Sequence, residues 1–154
     1  MSNIVHPPTK IVIDAGVAIW TVLPLMSTIN MVSRLVAWRE AGIELYAPAL
    51  WLAETTSVIR RAVSTKLITL AEGRTALDDV IALDITVTAM TPAHCRSALA
   101  WADRLGQAKA YDGFYLALAE ELDAPFYTTD QRLANGAHQK GIAWVLWIGA
   151  TGTQ

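Results

Sequence analysis

The fold is decided by the stretch KIVIDAG, which covers residues 10–16. Its first four residues are rich in β-branched side chains and predict a short strand. That strand ends at Asp14, and the pattern from Gly16 onward indicates the start of a helix. In an open parallel sheet, ligands bind beyond the carboxyl ends of the strands. An acid directly after a buried strand is therefore a candidate site residue.

The alternation of strand and helix continues along the whole chain. Pro48 is predicted to lie in the first turn of a helix, where its missing N–H would have no intrahelical partner. Five strands alternating with helices imply a three-layer α/β/α fold around a five-stranded, mainly parallel central sheet. Further strands are predicted at 43–46, 84–90, 125–128 and 143–146, and helices near 27–39, 48–63, 69–83, 91–105, 111–122 and 131–140.

The length and composition indicate one folded domain. The chain has 154 residues, of which 53% are hydrophobic and 17% charged, a composition that favours a packed core over disorder. It contains no internal repeat or linker-like tract. We therefore expect a single domain over residues 1–154, with residues 1–9 as a flexible N-terminal extension.

Charge and targeting signals exclude several classes of protein. A formal net charge of -2 argues against a general polyanion binder. The first ten residues lack a signal-peptide pattern, and no apolar stretch approaches the roughly 18 residues of a membrane-spanning helix. The single cysteine, Cys95, cannot form an internal disulfide. These features predict a cytoplasmic protein.

Four acids are expected to meet at the carboxyl edge of the sheet. Asp14 and Asp130 each follow a predicted strand, and Asp112 opens a helix that must begin at the same edge. Glu54 lies on the apolar stripe of its own helix, between Trp51 and a valine at helical spacing. Each Asp could instead be an ordinary helix N-cap, and Glu54 could extend to solvent. All four alternative interpretations would have to hold together to remove the site.

A cluster of carboxylates predicts a divalent metal ion. Mutual repulsion raises the pKa of each acid in such a cluster, and a doubly charged cation relieves the repulsion. Hard oxygen ligands suit Mg²⁺ or Mn²⁺, which also bind phosphate oxygens. The sequence therefore favours hydrolysis of a phosphodiester.

The chain resembles the PIN-domain family, especially the VapC-type toxins of bacterial toxin–antitoxin pairs. The matching segments have the order, spacing and secondary-structure context of that family and extend over nearly the whole chain. They are IVIDAGVA at 11–18, PALWLAE at 48–54, AYDGFYLALA at 110–119 and YTTD at 127–130.

The resemblance implies a metal-dependent endoribonuclease of the toxin type. Asp14, Glu54, Asp112 and Asp130 would be catalytic and would bind one or two Mg²⁺ or Mn²⁺ ions, which activate a water and stabilise charge on the phosphate. Asp14 and Asp112 would be the principal ligands. Thr128 would be a polar neighbour that contacts substrate. The implied partners are RNA, an antitoxin protein and a second copy of the chain.

Two further surface features enter these expectations. Arg60 belongs to a small basic group after Glu54 and is a candidate contact for RNA phosphates, although surface solubility is the ordinary role of such residues. Trp20, with the apolar residues 22–25, is a candidate surface for a homodimer or a bound partner, because large aromatics are enriched at interfaces.

One departure from the family pattern leaves alternatives open. The family often has Ser or Thr two positions after the first Asp, where this chain has Gly16. The loss of that hydroxyl motivates a second hypothesis, a catalytically weak or inactive PIN-like module that binds RNA or a protein. A third hypothesis uses Asp14 as a phosphoryl acceptor. Phosphatases of that kind have a second Asp two residues after the first, and this chain has Gly16 at that position.

Overall fold

The computed structural model describes residues 7–149, which form five strands and seven α-helices. Residues 1–6 of the predicted N-terminal extension lie outside the described residues. The strands are β1 (Lys10–Ile13), β2 (Glu44–Pro48), β3 (Thr86–Thr88), β4 (Phe126–Thr128) and β5 (Val145–Trp147). The helices are α1 (Ala15–Val22), α2 (Met31–Glu40), α3 (Leu50–Ser64), α4 (Leu70–Ile81), α5 (Pro92–Leu105), α6 (Tyr111–Glu121) and α7 (Gln131–Gln139), with a short 3-10 helix at Pro24–Met26.

All five strands are parallel, in the order β3-β2-β1-β4-β5, which confirms the predicted fold class. The connections from β1 move outward through β2 to β3, and the chain then returns to place β4 on the other side of β1. Val12 pairs with Phe126, and Ile13 pairs with Tyr127. The strand order therefore reverses between β1 and β4, and a crevice forms at the carboxyl ends of the strands at such a point.

The alternation of β1 side chains divides the core between the two faces of the sheet. Val12 belongs to the larger apolar cluster, which includes Trp51 of α3 and Tyr115 of α6. Ile11 and Ile13 point to the opposite face, into a smaller cluster that includes residues of α2. Both faces of β1 are therefore buried, as expected for the central strand of a parallel sheet.

Local sequence signals fix the ends of several helices. Thr69 and Thr91 cap α4 and α5 through reciprocal capping boxes with Glu72 and His94. The helix α5 ends at Gly106, whose φ of 67° is left-handed. Within residues 7–149, no helix combines the length and apolar character needed to cross a bilayer.

The prediction for Pro48 was wrong, because this residue ends β2 and α3 begins at Leu50. The register of β1 and β2 ends at the Val12–Tyr46 pair, so Pro48 lies beyond the part of β2 that pairs with β1. The missing N–H of a proline is tolerated at such a position. The final strand also lies slightly later than predicted, at Val145–Trp147.

Candidate active site

Asp14 lies at the end of β1, on the boundary between the strand and α1. Its extended backbone makes it the N-cap of α1, and its Oδ1 accepts a hydrogen bond from the N–H of Val17 at 2.9 Å. This is the ordinary capping role considered for Asp14 in the sequence. It uses only one of the two carboxylate oxygens, so capping alone does not account for the residue.

The second oxygen of Asp14 is held by the end of β4. Oδ2 accepts hydrogen bonds from the Thr128 hydroxyl at 2.7 Å and from the backbone N–H of Thr129 at 2.8 Å. The Thr129 hydroxyl lies 3.3 Å from the same oxygen. The two strands on either side of the reversal are thus joined through one carboxylate, whose orientation is fixed on both sides.

Asp130 follows directly and caps α7. Its Oδ1 accepts hydrogen bonds from the N–H groups of Arg132 and Leu133, at 2.8 and 3.1 Å. Its own N–H donates to the Thr128 hydroxyl oxygen at 3.0 Å. Thr128 therefore lies between Asp14 and Asp130 and hydrogen-bonds to both residues.

Glu54 is brought to the same edge by the packing of α3. The indole Nε1 of Trp51 donates to the backbone carbonyl of Asp14 at 3.3 Å, which sets α3 against the end of β1. Glu54 is one turn further along α3 and is half-buried. Its Oε2 accepts a hydrogen bond from the hydroxyl of Tyr115, a buried residue of α6.

Asp112 is positioned by close contact between α5 and α6. It lies in the first turn of α6, next to Gly113. A β-carbon on Gly113 would lie 2.3 Å from the carbonyl oxygen of Ala98, so the absence of a side chain permits the helices to approach this closely. The side-chain amide of Gln107, in the loop between the two helices, donates to Asp112 Oδ2 at 2.7 Å.

The acids influence one another electrostatically. Burial raises the pKa of Asp14, against the effect of the hydrogen bonds that it accepts. Burial also raises the pKa of Glu54, opposed by the hydrogen bond from Tyr115. The charges of Asp112 and Asp14 raise the Glu54 pKa further. Burial raises the pKa of Asp112, and the charge of Asp130 adds to that rise. The four acids therefore form one connected group.

The donor set suits a hydrated divalent cation better than a fully protein-ligated one. In residues 7–149, no three His, Cys, Asp or Glu side chains are arranged to hold one ion as they stand. Each of the four acids also gives at least one oxygen to a protein donor. Mg²⁺ keeps several waters and is usually held by one or two carboxylates and by substrate phosphate. One or two of the four acids, with waters and a substrate phosphate, would meet that requirement.

Among residues 7–149, no cationic side chain lies within ion-pair distance of the four acids. In the described part of the chain, the acid–base contact found joins His94 to Glu121 and involves none of the four acids. Buried carboxylates without a cation favour protonation or metal binding. The donor set is therefore compatible with the divalent ion expected from the sequence.

Thr128 and Arg60 are the two residues that were predicted to contact substrate. Thr128 is 1% exposed, and its hydroxyl is already hydrogen-bonded to Asp14 and to the N–H of Asp130. In this placement Thr128 orients two of the acids, and its direct contact with substrate stays a prediction. Arg60 is exposed, but six residues after Glu54 it lies about a third of a turn away from that side of α3. Arg61, about two full turns after Glu54, lies on the same side of α3 as that acid.

Sequence reasoning missed Gln107, Tyr115 and Thr129, the residues that orient the acids. Tyr115 is three residues after Asp112 on the same side of α6, and a buried tyrosine hydroxyl usually finds a polar partner. That spacing could have indicated Tyr115. Nothing in the sequence pattern distinguishes Gln107 or Thr129.

Comparison with known proteins gives an independent result. The PIN domain family model matches residues 11–139, a range that includes all four acids. The crystal structure of PAE2754 from Pyrobaculum aerophilum is similar, with a TM-score of 0.63 and 17% sequence identity. The match covers 83% of this chain and 79% of that chain, and at this identity it shows the fold alone. None of the curated proteins compared matches the chain.

Proposed function

The chain belongs to the PIN domain family, and from this premise we propose that it is a metal-dependent endoribonuclease. PIN domains are typically metal-dependent nucleases, and the proposal adds RNA as the substrate and Mg²⁺ or Mn²⁺ as the ion. The observation that carries it is the grouping of four acids. Asp14 and Asp130 both hydrogen-bond to Thr128 at the carboxyl ends of β1 and β4, and α3 and α6 bring Glu54 and Asp112 to the same place. A crevice at this point of a parallel sheet is where ligands bind.

The proposal gives the four acids two roles in binding metal ions. Asp14 and Asp112 would be the principal ligands, and Glu54 and Asp130 would complete the binding of a second ion, directly or through water. When bound, a divalent ion supplies a water of lowered pKa and neutralises charge on the phosphate. The protein itself supplies orientation, because the hydrogen bonds at the four carboxylates hold them before substrate arrives.

Cleavage of RNA by the purified full chain tests this function. With Mg²⁺ or Mn²⁺ the protein should cleave members of a panel of single-stranded and structured RNAs, and EDTA should abolish cleavage. Asp14→Asn should do the same, whereas Asp103→Asn, at an exposed position of α5, is the matched control and should keep wild-type activity. Calorimetry should detect uptake of the metal by the wild type.

The opposite results would decide for the inactive binding module that Gly16 suggested. Metal-saturated protein that cleaves no RNA of the panel, or cleavage that survives Asp14→Asn, would refute the proposed activity. Retained RNA binding without cleavage would identify the chain as an RNA-holding domain. Formation of a beryllofluoride adduct on Asp14, which mimics an acyl phosphate, would instead support the phosphoryl-acceptor hypothesis.

We further propose that the enzyme is the VapC-like toxin of a type II toxin–antitoxin pair and acts in the cytoplasm as a homodimer. An apolar groove of about 420 Å³ supports a protein partner, since Val22, Leu23, Pro24 and Leu25 line it together with residues of α4. Leu25 is 61% exposed. Pro24 is also exposed, whereas Val22 is half-buried and Leu23 is buried. Adjacent exposed apolar residues such as Pro24 and Leu25 are typical of interaction surfaces.

Growth and mass measurements test the toxin proposal separately from catalysis. Expression of the chain should arrest growth, and co-expression of a small reading frame immediately upstream of its gene should restore growth. Light scattering should give the mass of two chains, and Leu25→Asp should give the mass of one. Unimpaired growth on expression would refute the toxin role even if the purified protein cleaves RNA.

A further inference from the structure

A cavity of about 220 Å³ lies beside the acids, between the loop that follows α5 and the start of α7. It is lined by Leu105, Gln107, Asp130, Arg132, Leu133 and Gly136. Binding pockets for drug-sized ligands have volumes of about 300–1,000 Å³. The cavity is therefore large enough for one ring system of a ligand and too small for a larger molecule.

Gln107 connects this cavity to Asp112. The left-handed Gly106 ends α5 in a Schellman motif, in which the N–H of Gln107 donates to the carbonyl of Ala102 at 2.8 Å. The backbone of Gln107 is thereby fixed, and its side-chain amide reaches Asp112 Oδ2. The Gln107 side chain therefore both lines the cavity and orients Asp112.

The other end of the Gln107 amide has an acceptor to offer. Its Oε1 is buried and accepts no hydrogen bond from residues 7–149. A buried amide oxygen without a partner costs about 1–3 kcal/mol, and such groups in native proteins call for an explanation. Because this oxygen is closed to solvent, a ligand donor such as a sugar hydroxyl or an exocyclic base amine reaches it only when the Gln107 side chain shifts toward the cavity that it lines.

The remaining walls have the chemistry of a nucleotide site. Arg132 is exposed and supplies a guanidinium, which pairs with phosphate oxygens. Leu105 and Leu133 supply apolar surface for a flat ring. Asp130, one of the four acids, also lines the cavity, so a nucleotide bound here would be next to the bond being cleaved.

We propose that this cavity is the subsite for one nucleotide of the RNA substrate. Its phosphate pairs with Arg132, its base or sugar lies against Leu105 and Leu133, and its donor group reaches Gln107. The proposal rests on the proposed ribonuclease function and adds the residues that select and seat the nucleotide beside the scissile phosphate. Gln107 acts in it as a positioning residue for Asp112.

Two substitutions test the subsite without touching the acids. A β-carbon on Gly136 meets no atom within 4 Å, so Gly136→Gln can place a side chain in the cavity without a backbone clash. Arg132→Glu reverses the charge at the cavity and remains compatible with the first turn of a helix. Asn135→Gln, at an exposed position of the same helix, is the matched control.

The first readout is nucleotide binding by the metal-free full chain, followed by NMR. Adenosine and uridine 5′-monophosphates should shift the amide signals of Gly136 and the side chain of Gln107. Both Gly136→Gln and Arg132→Glu should remove these shifts, and Asn135→Gln should keep them. Absence of the shifts in the wild type, or equal shifts with inorganic phosphate alone, would overturn the subsite whether or not the protein cleaves RNA.

The second readout is the division of the kinetic effect between KM and kcat on an RNA oligonucleotide. Gly136→Gln and Arg132→Glu should each raise KM by about tenfold, because they remove binding common to ground and transition states. Gln107→Ala should in addition lower kcat, because Asp112 loses its donor, and Gln107→Asn should not restore kcat, because its shorter side chain does not span to Asp112. Cleavage by the wild type with unchanged KM in both cavity variants would overturn the subsite and leave the ribonuclease function standing.

Discussion

A β-carbon on Gly16 would lie 1.9 Å from the hydroxyl oxygen of Thr129, so the Thr129 side chain fills the space beside Gly16. The same hydroxyl lies 3.3 Å from Oδ2 of Asp14. The family often has a hydroxyl residue at position 16, and here the hydroxyl next to Asp14 comes from the end of β4. The glycine is therefore matched to its neighbour across the sheet, and its presence does not leave Asp14 without a hydroxyl partner.

This match predicts that restoring serine at position 16 destabilises the protein. Gly16→Ser should lower the free energy of unfolding by about 1–3 kcal/mol, since an added group in a packed site forces its neighbours to move. Gly16→Ser combined with Thr129→Gly should recover part of that loss. Urea unfolding of the four proteins of this cycle should give a coupling of about 0.5–3 kcal/mol. Additive effects would contradict the match.

Removal of the Tyr115 hydroxyl should affect both stability and cleavage. Tyr115→Phe deletes the donor to Glu54 and should lower the free energy of unfolding by about 1.5–3 kcal/mol, the range for hydrogen bonds to charged groups. RNA cleavage should fall as well, because Glu54 loses its fixed orientation. Tyr111→Phe is the control, since Tyr111 is 55% exposed on the same helix and should change neither property.

Two glycines within helices should respond to alanine in opposite directions. Gly113→Ala places a methyl against the backbone of Ala98 and should destabilise the protein by at least about 1–3 kcal/mol. Gly136→Ala meets open space and should stabilise α7 by up to about 1 kcal/mol. Thermal unfolding should show a lower Tm for the first variant and an equal or higher Tm for the second. A tolerated alanine at position 113 would mean that α5 and α6 are not held at this distance.

The capping box of α4 predicts a dependence of stability on acid pH. The backbone and side-chain donors of Thr69 lower the pKa of Glu72 below its usual value of 4.5. A lowered folded-state pKa stabilises the protein above the unfolded-state pKa, and this stabilisation disappears as pH falls through the folded value. Wild type should therefore exceed Glu72→Ala in stability near neutral pH.

Urea unfolding between pH 7 and pH 3 measures this effect. The difference in free energy of unfolding between wild type and Glu72→Ala should be constant above about pH 5. It should become smaller at more acid pH, once the Glu72 carboxylate is protonated. Glu121→Ala is unsuitable as a control because Glu121 contacts His94, whereas Asp103→Ala lies at an exposed site. A difference that is unchanged or larger at pH 3 would contradict the charged cap.

The positions of the acids in the fold could be predicted well from the sequence, because the end of a strand is a local feature of the sequence. Asp14 and Asp130 could be placed at one edge because each directly follows an apolar strand, and parallel strands end at the same edge. The start of the helix predicted near 91–105 is also confirmed, since α5 begins at Pro92 after the N-cap residue Thr91. Pro48 was misplaced because a proline is tolerated both in the first turn of a helix and at a strand end that has a partner on one side only, as Pro48 pairs with Thr88 of β3 but with no residue of β1. Only the register of β1 and β2 decides between these two positions.

The hydrogen bonds that orient the acids could not be predicted in the same way. Thr129 and Gly16 are far apart in sequence, and their fit depends on which strand lies beside β1. Gln107 reaches Asp112 because Gly106 turns the backbone at the end of α5, a detail of side-chain direction that no periodic pattern records. Residue types indicate which acids meet, whereas packing determines how each one is held.

The order of the strands has a consequence for synthesis of the protein. Asp14 is translated early, but the groups that hold its second oxygen belong to Thr128 and Thr129, near the end of the domain. A growing chain therefore cannot complete this site until residues 128 and 129 have left the ribosome, when most of the preceding residues are already outside it. For a ribonuclease, this delay protects the messenger from which it is being translated until β4 has been synthesised.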